Sequence, residues 1–248
     1  MRGKVITGIQ GLDDMLYGGI PEANQVIVAG GPGSGKTLLG FEYLYKNAKN
    51  GNTGLMISLE ENTDMIIQNA SDAFTEFKDI EALIESKTIT ILGRDQTRYY
   101  FSYDSEKEQY TFGGLVASIE SAISSLHATR VVIDSVSVIK LLIKDTYIYR
   151  DVSMNLASSL RDAKVTSMLT MEMETADKEK MMFQPEFFIY DGIISMYSGS
   201  GGGGRTPSME IIKMRGATFG IDAAESSFFM PSASTSFPEY ASVPAADR

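Results

Sequence analysis

The sequence predicts an α/β fold: a mainly parallel, twisted sheet with helices on both faces and a late β-hairpin. Three observations predict it. Short apolar runs rich in β-branched residues alternate with longer stretches of three- and four-residue periodicity, which implies right-handed crossovers between parallel strands. A glycine-rich segment sits where the first core run gives way to the first long helical stretch. Near the end, two apolar runs are separated by glycines and small polar residues, the pattern of a hairpin rather than a crossover. The 248 residues, 43% of them hydrophobic, suit one large domain over residues 1–221. Residues 222–248 change character to Ser, Ala and Pro, and read as an extended, disordered tail.

Taken in order, Gly11 and Gly18-Gly19 punctuate a short helix with Leu12, Met15 and Leu16 on one face. Val26–Ala29 is the first core strand. Thr37 to Asn50 reads as a helix with Leu38, Phe41, Leu44, Tyr45 and Ala48 inward, stopped by Asn50-Gly51. Leu55–Leu59 is the next strand and ends on Glu60-Glu61. Asn62 or Thr63 caps a helix carrying Met65, Ile66, Ala70, Phe74 and Phe77 inward. A short helical piece at Ile80–Ser86 precedes a strand at Thr88–Leu92. The polar, tyrosine-rich stretch 94–109 reads as a loop or insertion. Phe112–Leu126 resumes the helical pattern, and Arg130–Asp134 is a buried strand ending in an acid. A helix over Asp151–Lys164 and a strand at Thr166–Met171 follow. Ile193–Tyr197 and Met209–Met214 form the hairpin, with Gly199–Gly204 as a flexible link; no Lys-Thr follows those glycines, so they are not a second phosphate loop.

The earlier glycines are different. Gly30-Gly31-Pro32-Gly33-Ser34-Gly35-Lys36-Thr37 fits G-x-x-x-x-G-K-[ST], with a strand before it and Leu38-Leu39 opening a helix after it. Glycines let the backbone curl so that successive N–H groups point inward at phosphate oxygens. The helix that follows aims its unpaired N–H groups at the same anion. Lys36 supplies a compact cation for the terminal phosphates, and the Thr37 hydroxyl is placed to coordinate Mg²⁺. The nucleotide-binding residues are therefore expected at Gly31, Pro32, Gly33, Ser34, Gly35, Lys36, Thr37 and Leu38.

A second half of the site is expected at Asp134. It ends a buried strand at the C-terminal edge of the sheet, where ligands of open α/β sheets bind, and would hold the Mg²⁺ shell through water together with Thr37. The plain alternative is an acid capping the next helix. Glu60-Glu61 also follows a strand directly. A carboxylate there can orient or deprotonate a water that attacks the γ-phosphate, whereas two first-turn acids stabilising a helix dipole explain the same pattern.

Bulk properties exclude several classes. There are no cysteines, hence no disulfides or thiolate chemistry. A net charge of −10 and the absence of any Lys/Arg run argue against broad binding to nucleic acid or acidic membranes. Nothing approaches eighteen consecutive apolar residues, and no signal-peptide core opens the sequence, so a soluble, cytoplasmic protein is expected. His127, the single histidine, reads as a solvated helix end. Met171, Met173, Met181 and Met182 fit core filling better than an adaptable surface.

In their order, Thr7-Gly8-Ile9 and Gly11-Leu12-Asp13, Gly18-Gly19-Ile20-Pro21, the phosphate loop, Ser58-Leu59-Glu60-Glu61, Val132-Ile133-Asp134-Ser135, Asp191-Gly192-Ile193-Ile194 and Met209–Gly216 resemble the KaiC-type branch of the RecA superfamily, over about residues 4–217. The resemblance implies a RecA-like P-loop NTPase core that forms a homo-oligomeric ring, a hexamer, with ATP and Mg²⁺ bound between subunits. It implies Glu60 and Glu61 as the catalytic pair, Lys36 in phosphate binding and catalysis, and Asp134 as the magnesium acid. Lys213 and Arg215 match family residues that reach the neighbour's nucleotide; as bare residues they read as two exposed cations alternating on an edge strand. Slow ATP hydrolysis as a regulatory switch answering to a protein partner is the implied function. The alternatives are a nucleotide-gated scaffold with little turnover, like the archaellum motor protein, and a RecA-type recombinase. The net-acidic stretch Glu172–Lys180 disfavours the recombinase, which needs cationic loops. Two features depart from the family pattern. Ala217 stands where Ser or Thr is usual, and Phe187 and Phe188 occupy the places that the clock protein phosphorylates, so autokinase activity is not expected.

Overall fold

A computed structural model describes residues 3–220 apart from 10, 75–76, 78, 105–108, 112, 144, 175–183 and 202–203. Residues 222–248, the expected tail, lie outside the described residues, as do Met181, Met182 and Gly202-Gly203. In chain order the elements are β1 (Lys4–Val5), α1 (Leu12–Met15), β2 (Ile20–Pro21), β3 (Gln25–Gly30), α2 (Lys36–Lys49), β4 (Gly54–Ser58), α3 (Thr63–Ala73), α4 (Ile80–Glu85), β5 (Ile89–Leu92), α5 (Arg94–Thr97), β6 (Ser102–Asp104), β7 (Gln109–Thr111), α6 (Gly113–Leu126), β8 (Arg130–Asp134), α7 (Ser137–Leu142), α8 (Thr146–Asp162), β9 (Thr166–Glu172), β10 (Gly192–Gly201) and β11 (Gly204–Met214).

The main sheet has seven strands in the order β11-β10-β3-β9-β8-β4-β5. Every neighbouring pair is parallel except β10 with β11, the late hairpin. The expected fold class is therefore what the chain adopts. Period-two alternation splits the strands cleanly between two cores. Val26 and Val28 face one side with Leu39, Phe41 and Leu44 of α2. Ile27 and Ala29 face the other with Leu115 and Ile119 of α6 and Leu156 and Leu160 of α8. Strands buried on both faces explain why their sequences read as continuous apolar runs.

Local expectations hold less evenly. On α2, Leu39 is the fully buried residue and Leu38 only packs at its margin, because one residue turns the helix face by about 100°. On α3, Ile66 and Ala70 point inward while Met65 is 53% exposed, for the same reason. Residues 94–109 are not one loop: α5 and a 3-10 turn at Arg98–Tyr100 lead into the β6–β7 hairpin. The helix expected at Asp151 begins at Thr146, since the Asp145 carboxylate accepts from the N–H groups of Tyr147 (2.8 Å) and Ile148 (3.1 Å) and caps it. Gly199 and Gly201 are not free linker either, since they pair with Thr206 and Gly204 in the hairpin ladder. Met171 and Met173 are buried, as expected of core filling.

Candidate functional site

The phosphate loop leaves β3 at Gly30 and enters α2 at Lys36. Gly33 and Gly35 adopt φ of 70° and 90°, a region that side chains disfavour, so the sharp curl needs glycine at both. A Cβ on Gly30 would stand 2.5 Å from Ser34 Oγ and 2.9 Å from the Met196 carbonyl, so bare backbone is needed there too. The Lys36 ammonium folds over the loop and donates to the Gly31 carbonyl at 3.0 Å. Burial pushes its pKa down, against the opposing pull of Glu172, Asp134 and Glu60.

Across from the loop, Asp134 closes β8 with 3% exposure. The Thr37 hydroxyl donates to its Oδ2 at 3.0 Å, and Thr170 of β9 donates to Oδ1. Burial raises the Asp134 pKa; the two hydroxyl bonds oppose the rise and the charge of Glu61 adds to it. The strand order explains the geometry. β9 lies between β3 and β8, so Thr170 projects beside Asp134 and fixes the carboxylate from the middle of the sheet. Asp134 is thus not a helix cap: α7 starts three residues on, behind a cis Asp134–Ser135 peptide.

The two glutamates part company. Ser135 Oγ donates to Glu60 Oε1 at 2.6 Å, which ties Glu60 to the residue after Asp134. Glu61 Oε2 accepts from Asn69 Nδ2 of α3 at 3.2 Å. Ser58 Oγ receives both glutamate N–H groups, at 3.4 and 3.0 Å, and so shapes the turn that presents them. Sequence reasoning missed Ser135, Thr170 and Asn69. Thr170 left a signal, being a hydroxyl in the middle of the otherwise apolar Met168–Met171.

Lys213 and Arg215 are not brought to this loop. Register places Met196 opposite both Gly30 and Met209, whereas Lys213 pairs with Ile193 beside Ile27. That is three residues, roughly 10 Å along the sheet, from the mouth of the loop, and Arg215 lies beyond the end of β11. Lys213 donates to the carbonyls of Phe187 (2.8 Å) and Tyr190 (2.6 Å), and Arg215 to that of Phe188 (3.1 Å). Arg215 also lines a groove of about 810 Å³ at that far end, with Lys4, Asn24, Arg150, Arg161 and Asp191. The exposed His127 follows α6 in a left-handed turn, as a solvated helix end does.

The donor set fits a magnesium nucleotide. Ser34 Oγ is buried without a partner among the described residues, at the floor of a curled loop of glycines. No group of three or more His, Cys, Asp or Glu side chains among the described residues forms a metal cage. Thr37 and Asp134 are the contribution expected when phosphates and waters supply the other ligands.

A family model described as ATPase: KaiC matches residues 5–227. A UPF0273 protein of Aeropyrum pernix is 31% identical over 221 residues, covering 87% of this chain and 86% of its own length. The circadian clock oscillator protein KaiC of Parathermosynechococcus lividus is 30% identical over 216 residues, but this chain spans only 39% of its length. A crystal structure of a KaiC-like protein from Pyrococcus horikoshii superposes with a TM-score of 0.72 at 25% identity, covering 89% of this chain and 92% of that one. With the loop, the acid strand and the sheet order in place, the chain belongs to the KaiC ATPase-domain family.

Proposed function

We propose that the protein binds ATP with Mg²⁺ at subunit interfaces of a homo-hexamer and hydrolyses it slowly, as a cytoplasmic regulatory switch read by a protein partner. The observation that carries this reading is the 3.0 Å bond from Thr37 to the buried Asp134, beside a lysine folded over a glycine loop. Residues 31–38 would hold the phosphates through loop amides and Lys36, and Thr37 with Asp134 through water would hold Mg²⁺. When bound, Mg²⁺ supplies neutralisation of phosphate charge. Glu60, fixed by Ser135 next to the metal side of the site, would orient or deprotonate the attacking water, with Glu61 beside it. Lys213 and Arg215 are set away from their own loop, which supports the reading that they serve a neighbouring subunit's nucleotide. Among the described residues no helix is long and apolar enough to cross a membrane.

Steady-state phosphate release tests the reading. Lys36→Ala should abolish nucleotide binding, while Glu60→Gln with Glu61→Gln should keep binding and lose turnover. Phosphate release in wild-type protein no faster than in Lys36→Ala would favour the nucleotide-gated scaffold instead.

A further inference from the structure

At the end of the sheet opposite the phosphate loop, one carboxylate faces two arginines. Asp191 is buried just before β10. Its Oδ2 accepts from Arg161 Nη2 at 3.1 Å and from the Gln25 backbone N–H at 3.3 Å. Arg215 Nη1 stands 3.6 Å from Oδ1, within ion-pair range but too long for a good hydrogen bond. The firm bond therefore belongs to Arg161 and the loose one to Arg215. Exposure follows the same order, 39% for the Arg161 side chain and 54% for Arg215. So does the backbone: Arg161 rides on the last turn of α8, whereas Arg215 sits in the turn after β11.

We infer that Asp191 is a tether for the Arg215 guanidinium and that Arg161 makes the tether releasable. A buried carboxylate resists losing its last cation, because an unpaired charge in that setting is strongly unfavourable. With Arg161 bonded to Oδ2, Asp191 remains paired when Arg215 swings toward an anion on a neighbouring subunit. Without Arg161, Arg215 would be the one cation in ion-pair contact with the carboxylate among the described residues, with Lys213 acting on it only at longer range. Lys4 and Arg150, the other cations lining the groove, add to its pull on that anion. Arg161 is on this account a positioning residue that acts through Asp191, and the inference rests on the interface reading above.

The test is steady-state ATP hydrolysis on the full chain, with KM, kcat, native mass spectrometry and a thermal midpoint for every variant. Arg161→Gln should lower kcat about tenfold, the worth of one charge-assisted hydrogen bond now holding Arg215 back, with KM for ATP within about twofold. Adding Asp191→Asn to Arg161→Gln should recover most of the lost rate, because the group that captures Arg215 is gone. A merely structural role predicts the reverse, a double variant slower than either single one. Asparagine can still accept from Gln25. If Asp191→Asn nevertheless fails to fold, Arg161→Lys decides: lysine should restore the rate that glutamine loses, and equal rates for the two overturn the tether. Wild-type kcat in Arg161→Gln also overturns it. Arg215→Ala separates the two levels. Wild-type turnover in that variant sinks the finger itself, whereas a slow Arg215→Ala beside a normal Arg161→Gln sinks only the tether.

Discussion

Replacing Ser135 by alanine removes one oxygen and tests which glutamate works. Ser135 is 2% exposed and its hydroxyl donates to Glu60 Oε1 at 2.6 Å. A hydrogen bond to a charged group contributes about 1.5–3 kcal/mol net. If that energy holds Glu60 where water must be oriented, its loss lowers kcat by about tenfold to a hundredfold. Nucleotide affinity should stay within about threefold, since the phosphate contacts are proposed for loop 31–38 and not for Ser135. The assay is phosphate release at saturating ATP, with affinity measured separately by titrating a fluorescent nucleotide. Asn69→Ala is the matched control, because it frees Glu61 Oε2 from its 3.2 Å bond and should leave kcat within about twofold. The reasoning is refuted if Asn69→Ala and Glu61→Gln collapse the rate while Ser135→Ala does not, for then Glu61 is the base.

Two other outcomes are expected, the first on the interface reading proposed above and the second from the packing of the core. Subunits with Arg215→Ala keep a good loop and subunits with Lys36→Ala keep a good finger, so mixing the two should restore part of the activity that each lacks. Sizing that confirms mixed rings without any recovery would show that Arg215 does not act in trans. In the core, Phe77 is buried with ring centroids 3.8 Å from Tyr45 and 4.3 Å from Phe74. Phe77→Ala should cost about 3–5 kcal/mol in urea denaturation, and a loss under about 1 kcal/mol would mean that the aromatic cluster repacks.

The curled glycine loop was legible because its pattern is local: glycines, Lys36 and Thr37 fall within eight residues on a strand-to-helix turn. The place of Asp134 beside Thr37 was legible for a related reason, since parallel strands of one sheet end together at their C-terminal edge. What stayed hidden depends on which strands become neighbours. Thr170 matters only because β9 inserts between β3 and β8, and no periodicity in residues 166–172 announces that position. Ser135 and Asn69 distinguish Glu60 from Glu61 through contacts across 75 and 8 residues, so the adjacent acids looked equivalent in sequence. The misread helix faces, Leu38 taken for Leu39 and Met65 counted inward beside the buried Ile66, show a different limit. A one-residue shift rotates the buried face by about 100°, and apolar neighbours blur that choice. The 94–109 stretch hid its hairpin because short, polar strands lack an alternating apolar signature.

The place of β3 in the sheet bears on how the chain folds. It is the first strand of the main sheet to be made, yet its two neighbours come late: Gln25 pairs with Ser167 and Val26 with Gly192. Closing such distant contacts is entropically slow. During synthesis the phosphate loop therefore emerges early on a strand that has nothing to pair with. A nascent chain halted before β9 lacks Thr170 and both strands that β3 pairs with, β9 and β10. On the proposed ATP-binding reading, competence to hold nucleotide arrives late, and ATP would stabilise only molecules that have already seated β3 between β9 and β10.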